Sequence, residues 1–243
     1  MVRYGGKKMK TLVILYGWQS AKERWQKIRE EIEGQGIKVI VPDLPGFKKE
    51  NELKEIWDLN DYLNWTREFV ENISQEPIFL LGHSFGGRIA IKFAAKHPEK
   101  LRGLILVSTA GIKREKSFWQ RKIAAIAAIF RSFHFLPGYE FFRKIFYHFI
   151  VRKTDYLKTE GLLRETFKNI IEEDLTPYLS QIKTKTLIIW GEKDKITPLT
   201  DAYLIKKEIQ DSTLEIISGA GHRLNLEGPE KLSETILKFL ENN

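Results

Sequence analysis

One short stretch constrains this chain more than any other. Gly82-His83-Ser84-Phe85-Gly86 follows an apolar run at Ile78–Leu81 and precedes a helical pattern that starts at Gly86. A serine in G-x-S-x-G, between a strand and a helix, sits on a sharp turn that lifts its hydroxyl above the end of a sheet. Small residues two before and two after it are needed because strand and helix nearly touch there, and Gly87 eases the same packing. The helix that begins at the turn also directs its positive end at any oxyanion formed nearby. The spacing therefore predicts Ser84 as a nucleophile on a strand-to-helix elbow.

The rest of the chain supplies the sheet that such an elbow needs. Short, nearly continuous apolar runs occur at Thr11–Tyr16, Lys38–Val41, Ile78–Leu81, Gly103–Val107, Thr186–Trp190 and Leu214–Ile217. Runs without alternation are the mark of strands buried on both faces. Helical patterns fall between them, near 21–33, 61–73, 86–97, 199–209 and 229–240. Ser20 and Glu23 stand at capping-box spacing before the first, and Pro98 ends the third. Strand–helix alternation predicts an α/β fold, a mostly parallel sheet of about six strands flanked by helices. With 243 residues, 42% of them hydrophobic, there is enough material for one full core.

Residues 112–178 break the rhythm, reading as helices without strands and punctuated by Pro137-Gly138. They predict a helical cap inserted into a core made of 1–111 and 179–243. The formal charge of +8 is local to this insertion: residues 112–170 hold thirteen Lys and Arg against five Asp and Glu, leaving the remainder neutral. No nucleic-acid-binding motif accompanies the charge, so a solvated basic surface is expected and no nucleic-acid partner. The insertion is also strongly aromatic, and Trp119, Phe130 and Phe146, with Tyr16, are candidates to line a substrate pocket. The chain has no cysteine, which excludes disulfides, a thiolate nucleophile and Cys-ligated metal. Met1–Lys10 lacks an apolar core and the longest apolar stretch, Ile123–Phe130, is too short to span a bilayer. A soluble, cytoplasmic setting without stable membrane insertion is the expectation.

A serine hydroxyl needs a base, and the base needs an orienting group. Of the five histidines, His83 lies inside the elbow, His97 ends a helix, and His134 and His148 fall in the insertion. His222 follows the last apolar run through Gly219-Ala220-Gly221, a loop able to reach the carboxyl end of the sheet. It is the expected base. The acid is sought after the strand ending at Trp190, where Glu192 and Asp194 compete.

Taken together, these pieces resemble the α/β-hydrolase fold enzymes over nearly the whole chain. The resemblance rests on Leu15-Tyr16-Gly17-Trp18, Asp43-Leu44-Pro45-Gly46-Phe47, Gly82-His83-Ser84-Phe85-Gly86-Gly87, Trp190-Gly191-Glu192-Lys193-Asp194, and Gly221-His222 with Glu227-Gly228-Pro229. It implies Asp194 as the acid, through the G-x-x-D pattern, and the backbone N–H groups of Trp18 and Phe85 as oxyanion-hole donors. It departs from the family at Tyr16, where His-Gly is usual, and in a start too late for the usual leading hairpin. The implied activity is carboxylic ester hydrolysis through an acyl-enzyme. C–C bond hydrolysis of ring-cleavage dienoates and lactone hydrolysis are alternatives, as are a methyl esterase acting on an acidic carrier protein and a non-catalytic binder. The resemblance implies no metal and no organic cofactor, and a small-molecule ester as the partner.

Overall fold

In a computed structural model of the chain, residues 9–113 and 161–243 are described. The chain divides into two compact units, Met1–Ile112 joined with Gly161–Asn243, and Lys113–Glu160. The first unit holds the sheet and every catalytic candidate. The cap candidates Trp119, Phe130 and Phe146 lie outside the described residues.

Six strands form a single sheet: β1 (Thr11–Leu15), β2 (Lys38–Ile40), β3 (Ile78–His83), β4 (Leu101–Val107), β5 (Thr186–Gly191) and β6 (Ser212–Ile217). Their spatial order is β2-β1-β3-β4-β5-β6, and every pair is parallel. Side-chain chemistry follows position. Ile78 through Leu81 of β3 are fully buried, because helices cover both faces of an interior strand. The edge strands carry the polar residues, with Lys38 exposed on β2 and Glu215 on β6, which discourages pairing with another chain. On the amino-terminal side the edge is β2, and β1 lies one strand inside it.

The helices are α1 (Gln26–Glu33), α2 (Leu59–Ile73), α3 (Phe85–Lys96), α4 (Gly161–Glu172), α5 (Thr176–Leu179), α6 (Leu199–Glu208), α7 (Leu224–Glu227) and α8 (Pro229–Glu241). Two starts differ from the sequence expectation. The Ser20–Glu23 capping box does not form; Ser20 is held in a turn by its N–H donating to the Gly17 carbonyl, and a 3-10 turn at Lys22–Trp25 leads into α1. Helix α2 begins two residues early because Asp58 caps it, accepting from the N–H groups of Asn60 and Asp61 while Asp61 accepts from the Asp58 N–H. Such reciprocal capping is worth roughly 1 kcal/mol.

Helix α4 is bound firmly to the core unit. Thr166 accepts from the Trp57 N–H (2.9 Å). Arg88 of α3 donates to the carbonyls of Ile170 and Glu173, and Lys92 pairs with the Glu173 carboxylate at 2.7 Å. Buried cations on a helix are tolerated when such acceptors surround them. Here they meet the carboxyl-terminal end of α4, where free carbonyls accumulate.

The strand order reverses direction between β1 and β3. In open α/β sheets the crevice outside the carboxyl ends of the strands at such a reversal is where ligands bind. Trp18 follows β1 and Ser84 follows β3, so both stand at that crevice.

Candidate active site

Ser84 has φ 52° and ψ −111°, a backbone conformation that side-chain-bearing residues rarely adopt. Its neighbours show why the turn is this tight. A methyl group on Gly82 would lie 2.5 Å from the Gly86 carbonyl oxygen, and one on Gly86 would lie 2.0 Å from that of Leu15. Backbone bonds then pin the elbow: Ser84 N–H to Val107 (3.1 Å), Gly86 N–H to Tyr16 (3.1 Å) and Ala110 N–H to Ser84 (3.1 Å). Gln19 and Ser108 also have positive φ, so the strained non-glycine residues among those described all follow the carboxyl ends of β1, β3 and β4. Strain of this kind gathers at functional sites.

The loops after β5 and β6 bring the other two side chains to Ser84. They approach so closely that a methyl group on Gly191 would sit 2.1 Å from the Gly221 carbonyl oxygen. Lys193 N–H donates across them to Ala220 (2.8 Å). The result is a continuous chain of hydrogen bonds. His222 Nε2 is 3.0 Å from Ser84 Oγ, and its Nδ1 is 2.8 Å from Asp194 Oδ2. A carboxylate at Nδ1 fixes the proton there and leaves Nε2 as the acceptor facing the serine.

Asp194 is buried and well supplied with donors. Its Oδ1 accepts from the N–H groups of Ile196 (2.8 Å) and Thr197 (2.9 Å), and Oδ2 also accepts from the Thr197 hydroxyl (2.8 Å). Burial opposes its ionisation, but the bond from His222 and these backbone donors outweigh it, holding the carboxyl below the ordinary aspartate value. Glu192, the competing acid, is exposed and turned elsewhere; it accepts from the Ser218 hydroxyl and the Gly219 N–H, both at 2.8 Å.

The oxyanion-hole and pocket candidates stand around the same turn. Phe85 is the first residue of α3, where a helix leaves its N–H without an intrahelical acceptor. Trp18 immediately follows the Tyr16-Gly17 turn. Its ring meets Phe85 edge-on at 5.0 Å, Phe47 at 4.9 Å and Phe167 of α4 at 4.8 Å. Tyr16 is fully buried, its phenol accepting from the Leu44 N–H at 3.0 Å, and it meets the elbow through its backbone carbonyl. Among the described residues no group of His, Cys, Asp or Glu is clustered as a metal ion requires.

Three further residues support the site, although the sequence assigns none of them a role in it. Thr197 ties Asp194 to the sheet. Glu227 brackets the histidine, accepting from the N–H groups of Gly221 and Arg223 on either side of it. His83 reaches His222 from below, its Nε2 3.0 Å from the His222 carbonyl. The Asp-x-x-Thr spacing of the first suits a side chain accepting from the amides that follow it; Glu227 and His83 stand inside the motifs Glu227-Gly228-Pro229 and Gly82-His83-Ser84, whose spacing does not reveal these contacts.

An elbow serine at the reversal of a parallel sheet, joined through a histidine to a buried carboxylate, is the architecture of the α/β hydrolases. The family model described as Serine aminopeptidase, S33 matches residues 6–229, and the chain belongs to that family of hydrolases. Among curated relatives, it is 27% identical to the 2-hydroxy-6-oxo-6-phenylhexa-2,4-dienoate hydrolase of Comamonas testosteroni, covering 94% of this chain and 87% of the relative. It is 26% identical to the monoacylglycerol lipase ABHD6 of Mus musculus, covering 95% and 75%. Among solved structures, an α/β hydrolase from a lagoon-sediment metagenome superposes with a TM-score of 0.71 at 23% identity, covering 97% of this chain and 92% of that one. A serine hydrolase involved in carbazole degradation gives 0.73 at 21%, covering 98% and 93%. These superpositions bear on the fold.

Proposed function

We propose that the protein hydrolyses carboxylic esters, with Ser84 as nucleophile, His222 as base and Asp194 as the orienting acid. The single observation that carries this is the unbroken chain from Ser84 Oγ to His222 Nε2 (3.0 Å) and from His222 Nδ1 to Asp194 Oδ2 (2.8 Å). Ser84 attacks the acyl carbon as His222 takes its proton. The N–H groups of Trp18 and Phe85 receive the negative charge that develops on the carbonyl oxygen, a contribution of roughly 3 kcal/mol per donor in comparable sites. His222 then protonates the departing alcohol. Water enters and gives its proton to the same nitrogen as its oxygen attacks the acyl carbon; His222 then returns that proton to Ser84 Oγ as the acid departs.

The rings of Trp18, Phe47, Phe85 and Phe167 favour an apolar acyl group beside the serine. The likeness to a monoacylglycerol lipase supports the same reading. A second reading, C–C bond hydrolysis of a dienoate, is favoured by the likeness to the Comamonas enzyme. Under either reading, residues 112–178 are proposed to carry the cap and to share in substrate choice, and the setting is proposed to be cytoplasmic. Among the described residues no helix is long and apolar enough to cross a membrane.

The experiment is a series of p-nitrophenyl esters of increasing acyl length run beside a ring-cleavage dienoate, with Ser84→Ala as the control. Ester turnover that rises with acyl length and vanishes in Ser84→Ala is expected. Dienoate cleavage without ester turnover would replace the first reading by the second, and equal ester turnover in Ser84→Ala would remove both.

A further inference from the structure

The catalytic steps use His222 and leave His83, the residue before the nucleophile, without a role. We propose that His83 is a positioning residue, which holds the His222 backbone by donating its Nε2–H to the His222 carbonyl and so sets the distance from His222 Nε2 to Ser84. The inference rests on the reading of Ser84 and His222 as nucleophile and base.

The geometry supports it from several sides. His83 is the last residue of β3, an interior strand with neighbours bonded on both sides. Its Nε2 lies 3.0 Å from the His222 carbonyl oxygen, across 139 residues of sequence. A carbonyl can only accept, so the ring's proton sits on Nε2. The base itself comes from a loop, reached through Gly219 at φ 76°. Asp194 fixes the tilt of the His222 ring but not the position of its main chain. Glu227 steadies the residues on either side, and His83 binds His222 itself.

The chemistry of the ring suits this task and no other nearby. Its Nδ1 is buried and finds no hydrogen-bond partner among the described residues. The indole of Trp25 meets it edge-on at 5.6 Å, which locks its rotation. Burial, and then the nearby His222, hold His83 far below the ordinary histidine value, at about 4. It therefore stays neutral through the catalytic cycle. That matters because the His222 ring, 5.2 Å away between centroids, must become an imidazolium when it takes the serine proton. A charged donor at this position would oppose that step.

The test measures how fast a fluorophosphonate probe modifies Ser84 in the wild type, His83→Phe and His83→Gln, with melting temperatures recorded alongside. His83→Phe keeps a ring against Trp25 and removes the donor; His83→Gln restores an N–H at similar reach. His83→Phe is expected to slow both labelling and kcat about 100-fold, with KM within about twofold, and His83→Gln to recover to within about tenfold of wild type. Should His83→Phe not fold, His83→Leu takes its place as the donor-free variant. Wild-type labelling in the donor-free variant overturns the inference, and so does equal slowing in the donor-free variant and His83→Gln at matched stability. A wild-type protein that is not labelled at Ser84 removes the underlying reading, and this inference with it.

Discussion

At Asp194, burial and hydrogen bonding act in opposite directions, and the outcome can be measured. The carboxylate accepts four bonds, from His222, Ile196 and twice from Thr197, so it is ionised although buried. Asp194→Asn keeps the shape but presents an N–H or a weak acceptor to His222, which favours the wrong tautomer at the serine. We expect kcat for ester hydrolysis to fall about 10³- to 10⁴-fold with little change in melting temperature; a loss under tenfold would show that Asp194 does not orient the base. Ser84, Asp194 and His222 are legible in the sequence because each sits in a motif or loop with its own local signature. The roles of His83, Thr197 and Glu227 are not. Their contacts with His222 or Asp194 depend on how loops from different strands meet, and nothing at His83 itself points to a carbonyl 139 residues away. Tyr16 reads as a pocket candidate in sequence, yet its phenol binds the Leu44 N–H inside the core; an aromatic side chain beside a catalytic turn looks the same in sequence whichever way it points.

Among the elements, the contact between β1, β3 and α3 decides whether the elbow can exist. Gly86→Ala would place a methyl group 2.0 Å from the Leu15 carbonyl oxygen, backbone that cannot swing aside. Overpacking of this sort costs about 1–3 kcal/mol or more, which for a chain of this size means a melting temperature lower by roughly 2–12 °C. Retention of the wild-type melting temperature and activity in Gly86→Ala would contradict the close packing described. All six strands are readable to within two residues at either end, since interior parallel strands are continuous apolar runs. Helix starts are less so. Ser20 and Glu23 have capping-box spacing, but the turn that brings Trp18 toward Ser84 claims Ser20 first. Asp58 caps α2 two residues ahead of the expected start, because Asp-Leu-Asn-Asp offers several equivalent starts until packing chooses one.

For the whole molecule, the buried neutral His83 gives folding a dependence on acid. Its value falls from 6.5 in the unfolded chain to about 4 in the fold, through burial first and then His222 and Arg223, with Asp194 acting the other way. Between those values the unfolded chain takes up a proton that the folded one refuses, so stability falls as pH drops from 6.5 toward 4. The loss is about 3 kcal/mol. Asp194, held below its ordinary value, adds a further loss at lower pH as it is protonated. Urea titrations at about pH 7 and about pH 4 should therefore show His83→Gln losing about 3 kcal/mol less stability than wild type. Equal losses would mean that His83 is not buried as a neutral ring. The fold class and the hydrolase family are both legible over nearly the whole length, because apolar strand runs and strand-end motifs recur from β1 to β6. The ring cluster of Trp18, Phe47 and Phe167 is not, since its members converge from different elements.

The central claim is that Ser84 is a nucleophile activated by His222. Treatment with a fluorophosphonate, followed by intact mass and peptide mapping, tests it most directly. A single adduct on Ser84 is predicted, absent from Ser84→Ala and formed far more slowly in His222→Ala. No adduct, an adduct on another residue, or undiminished labelling of His222→Ala would contradict the account.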